Sequence, residues 1–378
     1  MGLSLDGIRI VCLAEQYPGP YATLLLADLG ADVILVERPG SGDPARQFPG
    51  FHAALSRNKR SVVIDLKAED GRRQLRDLVA SADVLMEGFR PGTMERLGFG
   101  YAAVELLNPK LVYVSISGFG QSGPYRDRPA HDLSYQAIAG FLFRQAETGA
   151  LDSHSEIAIG DLSSGMFAAI GTLAALLECT RTGRGKYIDV SMTDGLLSWM
   201  SVLVGPVLNG QAVADIGAEP AYGLFRCAGN KILSLSIAHE DWFWKPFCKL
   251  LVMDDVADLG REQRVAQATE LSSRIAGILA TDSRESWGAA FDAAGIPWGP
   301  VNSIEEVAAD RHFRERGMFR RVADSDGTMR WHVAQPLMFS GDHPAPRRGV
   351  PRLGEHTREV LAELPKAIVP GQANQQRS

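Results

Sequence analysis

The chain has 378 residues, of which 45% are apolar and 22% are charged, and its formal net charge is -6. This composition is that of an average globular protein, and the length predicts two domains or one elaborated domain. A negative balance without any block of like charges argues against nucleic acid or an anionic membrane as a partner.

The cysteines and the apolar segments indicate a compartment. The four cysteines lie far apart in apolar contexts, which is typical of reduced core thiols and predicts a cytoplasmic protein. The N-terminus lacks a basic region followed by a long apolar run, so no secretory signal is expected. The most apolar segment, residues 165–179, is shorter than the roughly 20 residues that a bilayer requires, and a buried helix is expected there.

The first half of the chain alternates between two kinds of pattern. Short runs rich in Val and Ile predict strands, and segments between them with apolar residues at spacings of three and four predict helices. This alternation predicts an α/β protein built from β-α-β units around a parallel sheet. A long helix after Asp161 and a strand at 186–192 continue the pattern. The earlier strand runs are "IRIVCLA" (8–14), "DVILVER" (32–38), "SVVIDL" (61–66), "DVLMEGF" (83–89) and "LVYVSISGFG" (111–120).

A second block begins after a Gly- and Ala-rich passage. The strand "NKILSLSI" (230–237) opens it, helical patterns follow, and "FRRVADSDGTMRWHV" (319–333) predicts a hairpin. We therefore expect a large domain and a small domain joined by two linkers. The predicted bounds are 1–205 completed by 325–378 for the large domain, 225–320 for the small domain, and 206–224 and 321–330 for the linkers.

Common cofactor and metal signatures are missing from the sequence. The glycines of "GFGQSG" (118–123) match the dinucleotide-binding pattern, but Pro124 follows where a helix would have to open, so NAD is not expected. The sequence has no phosphate-binding loop with lysine, no H-E-x-x-H, no paired C-x-x-C and no G-x-S-x-G. No metal is predicted.

Three positions carry groups suited to acid/base or nucleophilic chemistry. Asp161 precedes an apolar-periodic helix, where it would serve as an N-cap or as a carboxylate kept ionised by the helix dipole. His131 precedes a helix that Asp132 is placed to cap, and Glu240 follows a strand together with His239. Taken singly, each pattern favours a structural role.

The ordered blocks of the chain resemble the family III CoA-transferases (the CaiB/BaiF family), the group that also contains the α-methylacyl-CoA racemases. The resemblance implies a large domain with a Rossmann-like sheet, a smaller domain, and an interlocked homodimer. It is carried by "LADLGADVILVERPGSGDPAR" (26–46), "RNKRSVVIDLK" (57–67), "DVLMEGFRPGTMERLGFGY" (83–101), "SISGFGQSGPYRDRPAHDLSYQAIAG" (115–140), "IGDLSSGMFAAIGTLAAL" (159–176), "RTGRGKYIDVSMTD" (181–194), "GIPWGPVNSIEEV" (295–307) and "PRLGEHTREVL" (351–361).

The resemblance also implies roles for the acid/base candidates. Asp161 matches the acid that attacks the thioester in the transferases and that is one of two bases in the racemases. His131 with Asp132 resembles the racemases' "HD", where transferases usually carry a bulky non-basic residue. A glutamate supports the histidine in racemases; here His239 stands at the matching position and Glu240 one residue later.

We therefore expect an enzyme that epimerises the α-carbon of 2-methyl-branched acyl-CoA. A transferase that moves CoA between carboxylic acids through Asp161 is the alternative, and a catalytically silent CoA-binding homologue is a third. The CoA thioester is the substrate, and no separate cofactor is expected.

Basic residues in the matching blocks are candidates for CoA binding. Arg38 and Arg90 correspond to family arginines near the CoA phosphates, and their alternative role is a surface salt bridge. Arg57 and Lys59 are weaker candidates, because a solvated basic turn has the same pattern. Glu87 is expected to hold the loop that carries Arg90.

Overall fold

The structure is a computed structural model that describes residues 3–143, 157–213, 216–341 and 343–364. Its contacts divide the chain into two compact units. The first unit is Met1–Val202 with Glu315–Ser378, and the second is Leu203–Arg314.

A six-stranded sheet forms the centre of the first unit, and all of its neighbouring strands pair in parallel. The strands are β1 (Arg9–Cys12), β2 (Asp32–Glu37), β3 (Lys59–Val63), β4 (Val84–Glu87), β5 (Val112–Ser117) and β6 (Tyr187–Ser191). Their order in the sheet is β3-β2-β1-β4-β5-β6. This is the doubly wound order of a Rossmann-type sheet, whose direction of winding reverses between β1 and β4. The predicted parallel sheet is confirmed.

Helices cover both faces of this sheet. They are α1 (Pro18–Asp28), α2 (Pro49–Ser56), α3 (Glu69–Ala80), α4 (Thr93–Leu97), α5 (Tyr101–Leu107), α6 (Asp132–Ile138), α7 (Ile159–Thr182) and α8 (Met192–Trp199). Alternate strand residues enter separate cores: Ile10 and Cys12 pack on the face covered by α1 and α7, while Val11 and Leu13 pack on the face covered by α3 and α5. Burial on both faces explains why the inner strands β2, β1, β4 and β5 are nearly continuous apolar runs in the sequence.

Helix α7 is longer than the apolar segment suggested. The helix has 24 residues, and its length and composition would allow it to cross a membrane. The core helices of soluble proteins can have the same length and composition. Helix α7 packs against α1, α8, β5 and β6. The expected burial is found on one side of the helix, whereas Met166, Ile170 and Leu177 are exposed.

The second unit contains a three-stranded antiparallel sheet of β7 (Tyr222–Arg226), β8 (Ile232–Ser236) and β9 (Trp298–Pro300). Trp244 lies in its core and donates a hydrogen bond from Nε1 to the carbonyl of Val256, 2.9 Å away, whereas Trp242 is exposed. The helices are α9 (Ser201–Leu208), which begins in the first unit, α10 (Asp241–Leu250), α11 (Arg261–Ala266), α12 (Ala268–Leu279), α13 (Arg284–Ala294), α14 (Ile304–Ala309) and α15 (Arg311–Glu315), which ends in the first unit.

The C-terminal part of the first unit completes its structure. The predicted hairpin is confirmed as the antiparallel pair β10 (Phe319–Ala323) and β11 (Met329–Val333). Helix α16 (Thr357–Glu363) contacts β3 and contributes Val360 to the core on the α3 face.

Candidate active site

A cavity of about 1000 Å³ lies in the first unit, at the carboxyl ends of its parallel strands. The loop after β1 contributes residues 15–18 to its lining, and the loop after β4 contributes Gly88 and Arg90. These two strands are neighbours in the sheet at the point where the winding reverses, which is where open α/β sheets place their ligands. Phe48 and Phe51 give one part of the cavity an aromatic lining.

Asp161 lines this cavity from the first turn of α7. The helix begins at Ile159 with Ala158 at its N-cap, so Asp161 is the third helical residue, and the N-cap role that its pattern suggested is wrong. Among the described residues, none donates a hydrogen bond to its carboxylate oxygens. Burial, and secondly the negative charge of Asp132, raise the pKa of Asp161 to about 7.

Asp132 caps α7 rather than the helix to which it belongs. Its Oδ1 accepts hydrogen bonds from the backbone N–H groups of Gly160, at 2.7 Å, and Asp161, at 3.1 Å. A Cβ at residue 160 would lie 2.9 Å from that oxygen, so glycine permits the approach. The prediction that Asp132 caps its own helix is wrong, because the start of α6 lies against the start of α7. This contact also brings the Asp132 charge close to Asp161.

His131 occupies the N-cap position of α6. Its backbone is extended, with φ -128° and ψ 176°, and its carbonyl accepts hydrogen bonds from the N–H groups of Ser134 and Tyr135. Its side chain is exposed, lines the cavity, and makes no hydrogen bond with the described residues. The structure therefore gives no support to a hydrogen-bonded structural imidazole, and it brings His131 and Asp161 to one cavity.

The loop after β4 is held by a buried carboxyl group. Glu87 accepts a hydrogen bond from the N–H of Phe89 at 2.8 Å and another from the hydroxyl of Ser115. Burial raises the pKa of Glu87 to about 7. The exposed side chain of Arg90 follows on the same loop, lines the cavity, and forms no ion pair with any described residue. Its guanidinium is thus available to a ligand.

A second cavity, of about 340 Å³, adjoins the first and shares Arg90 with it. Three further arginines line it: Arg96, Arg126 and Arg128. No sequence pattern marked these three arginines, although Arg126 and Arg128 stand just before the "HD" pair in "YRDRPAHD". Guanidinium groups grouped in a concave site suit phosphate, which they bind through paired charged hydrogen bonds.

Arg38 is already paired within the protein. Its Nη2 donates to both carboxylate oxygens of Glu15, at 2.7 and 2.5 Å, and its side chain is 50% exposed. This is the ion pair that the alternative interpretation described. Glu15 itself lines the larger cavity, and a role of Arg38 in CoA binding stays a prediction.

Arg57 and Lys59 lie in the interior. Arg57 pairs with Asp28 at 2.6 Å, and the ammonium group of Lys59 donates to the carbonyl of Pro20 and the hydroxyl of Thr23. The exposed fraction is 3% for Arg57 and zero for Lys59, so the solvated basic turn is wrong. Neither side chain has a surface through which to meet a phosphate, and the structure gives their predicted CoA contacts no support.

Glu240 belongs to the second unit. It is the N-cap of α10, and one of its carboxylate oxygens accepts a hydrogen bond from the N–H of Ala238 at 2.9 Å. His239 is exposed. The support that either residue would give to His131 stays a prediction. Within the described ranges of both units, no three His, Cys, Asp or Glu side chains are grouped as metal ligands would be.

The fold and the site together define an α/β enzyme with ionisable groups at the reversal point of a Rossmann-type sheet, next to an arginine-lined cavity. The chain belongs to CoA-transferase family III, whose model matches residues 5–357. It is 33% identical to the succinate–glutarate CoA-transferase of Agrobacterium fabrum, over 95% of both chains. It is also 33% identical to the human alpha-methylacyl-CoA racemase, over 96% of this chain and 94% of the relative.

The crystal structure of a CaiB/BaiF family protein from Brucella suis is similar along almost the whole length. The TM-score is 0.82 at 28% identity, over 97% of this chain and all of that one. The chain is therefore an enzyme of the family, and the names of its relatives describe two reactions at equal identity.

Proposed function

We propose that the protein epimerises the α-carbon of a 2-methyl-branched acyl-CoA by two-base proton transfer, with Asp161 and His131 as the two bases. The observation that carries this proposal is their common cavity, where neither side chain is hydrogen-bonded to a described residue. Both groups are free to meet a substrate between them. Epimerisation requires this, because the proton leaves one face of the α-carbon and returns to the other.

The titration of Asp161 supports acid/base chemistry. A carboxyl group with a pKa of about 7 is present in both forms near neutral pH, so it can accept a proton in one direction and donate it in the other. A nucleophilic carboxylate must be ionised, and about half of a group with this pKa is ionised at pH 7, so the transferase is compatible with the same pKa.

The arginine-lined cavity supplies a place for the CoA phosphates. Arg90 is shared by the two cavities, so a ligand whose phosphates meet Arg96, Arg126 and Arg128 could extend its thioester past Arg90 towards Asp161. In the racemase reaction, one base removes the α-proton, the electron pair of the C–H bond moves into the enolate, and the conjugate acid of the other base protonates the opposite face.

The alternative is a CoA-transferase. In that reaction Asp161 attacks the thioester carbonyl, expels CoA thiolate and forms a mixed anhydride. The thiolate then attacks the aspartyl carbonyl, releases the first carboxylate and gives an aspartyl-CoA thioester. The acceptor carboxylate displaces CoA thiolate from this thioester to form a second anhydride, and the thiolate attacks the acceptor's carbonyl, which gives the new acyl-CoA and frees Asp161. The transferase names among the relatives at 33% identity favour this reaction, as does the carboxylate of Asp161, to which no described residue donates a hydrogen bond. Here His131 would not be required.

Incubation of each enantiomer of a 2-methylacyl-CoA in D2O distinguishes the two reactions. The wild-type protein should incorporate deuterium at C2 and invert the centre. Asp161→Asn and His131→Phe should each stop inversion, while each retains exchange of the one α-proton that its remaining base reaches, so the two variants should prefer opposite enantiomers.

The same samples test the alternative. If the wild-type protein incorporates no deuterium, while hydroxylamine added with acyl-CoA and a carboxylate acceptor converts Asp161 into its hydroxamate, the enzyme is a transferase. If neither reaction occurs and CoA still binds, the protein is a silent homologue.

A further inference from the structure

The N-terminus of α1 lies against the helix that carries Asp161. A Cβ at Gly165 would lie 2.8 Å from the carbonyl oxygen of Pro18 and 2.9 Å from a ring carbon of Tyr21, so the two helices touch at this glycine. Asp161 precedes Gly165 by four residues and therefore projects from the same side of α7. Its side chain thus faces the start of α1. The residue at the N-cap of α1 is Tyr17, which lines the same cavity.

The position of Tyr17 is constrained from two sides. Its ring packs edge-on against Phe51, with the ring centroids 4.9 Å apart. The preceding residue, Gln16, has a φ of 64°, and its N–H donates to the carboxylate of Asp43 at 3.1 Å. A positive φ at a residue other than glycine costs conformational energy, on the order of 1 to 3 kcal/mol, and such strain is common at active sites.

The hydroxyl group of Tyr17 has no hydrogen-bond partner among the described residues. Tyr135, which also lines the cavity, differs because its hydroxyl donates to the carbonyl of Ala130 at 2.8 Å. Burial, and secondly the carboxylate of Asp161, raise the pKa of Tyr17 above its ordinary 10. The phenol therefore stays protonated in the working range of pH and offers an uncommitted O–H donor close to Asp161.

We propose that Tyr17 is a further catalytic residue, whose phenol donates a hydrogen bond to the thioester carbonyl oxygen. That oxygen gains negative charge in the enolate of an epimerisation and in the tetrahedral intermediate of acyl transfer alike. The proton stays on Tyr17, so no bond to it is broken. The inference rests on the proposed function only in taking an acyl-CoA thioester as the substrate.

Tyr17→Phe tests this inference, because it removes the hydroxyl and keeps the ring against Phe51. Loss of one such donor typically lowers kcat by about 10²- to 10³-fold. We expect a fall of this order with little change in KM. Tyr21→Phe is the matched control: Tyr21 lies one turn later on α1 and is half-buried, but it does not line the cavity and burial alone raises its pKa. It should keep the wild-type kcat, and both variants should keep the wild-type unfolding temperature.

A binding measurement separates this inference from the proposed function. The probes are an acyl-dethia-CoA ketone, in which a methylene replaces the sulfur, and the corresponding alkyl-CoA thioether, which lacks the carbonyl oxygen. Wild-type protein and Tyr21→Phe should prefer the ketone, and Tyr17→Phe should lose about tenfold of that preference, whichever reaction the enzyme catalyses. Equal preference in all three proteins, or a kcat of Tyr17→Phe within about twofold of wild type, would overturn the role of Tyr17 and leave the proposed function standing.

Discussion

Asp161→Asn should make the protein more stable at neutral and alkaline pH. The pKa of Asp161 is raised from 3.8 to about 7 in the folded protein, so folding favours its neutral form. The sign follows from linkage: the stability contributed by the neutral carboxyl is fully present below pH 3.8 and is lost as the pH rises through about 7. An asparagine side chain is neutral throughout and avoids this loss.

The size of the effect follows from the two pKa values. Each pH unit over which folded and unfolded states differ by one proton is worth about 1.4 kcal/mol, which gives about 2.7 kcal/mol between pH 5 and pH 8. Since the side chain of Asp161 is only half-buried, solvent screening reduces this free-energy difference, and we expect Asp161→Asn to gain about 2 kcal/mol relative to wild type between pH 5 and pH 8.

Urea unfolding of both proteins at intervals between pH 5 and pH 8 measures the difference. Asp70→Asn removes an equal charge from an exposed position of the first unit and corrects for the change in net charge. The reasoning is refuted if the stability difference between Asp161→Asn and wild type stays constant over this range or shrinks as the pH rises.

Three further outcomes are expected. Arg90→Ala should weaken CoA binding by about 1.5 to 3 kcal/mol, and Arg38→Ala should weaken it by less because Arg38 is already paired with Glu15. Calorimetric titration measures both effects, and an unchanged dissociation constant in both variants would mean that neither arginine binds CoA. Gly165→Ala should destabilise the protein by about 1 to 3 kcal/mol in urea unfolding, because the new Cβ meets the backbone oxygen of Pro18 in α1. Gly277→Ala is the control and should not destabilise the protein, because the space around its Cβ position is open. Equal stabilities of the two variants would contradict the packing argument. The protein should sediment as a homodimer at low micromolar concentration, and a single species near 41 kDa would contradict the predicted interlocked assembly.

The sheet could be predicted from the sequence because strands that are buried on both faces are apolar at nearly every position. Runs such as "DVILVER" are apolar at every position that enters either core. The hairpin at Phe319–Val333 could also be predicted, because a polar turn with glycine separates two runs of strand-forming residues. The resemblance of its ordered blocks likewise identified the family from residues alone.

Charged residues were predicted less well, because burial and partners are set by distant parts of the chain. Arg57 and Lys59 belong to "RNKR", which has the appearance of a surface turn, yet Asp28 and the first turns of α1 enclose both side chains. Arg96, Arg126 and Arg128 were overlooked because helix α4, which carries Arg96, and the loop that carries the other two line one cavity only in the folded protein.

The candidate site shows the same division. The sequence by itself was enough to single out Asp161 and His131 as the candidates for the chemistry, since side-chain type and local motif are properties of the chain. Only the tertiary structure decided that Asp132 caps α7, that its charge helps to raise the pKa of Asp161, and that Tyr17 stands beside them. Hydrogen bonds and electrostatic interactions act over a few ångströms in space, and residues that lie 28 or more positions apart in sequence reach that distance only through the packing of helices on the sheet.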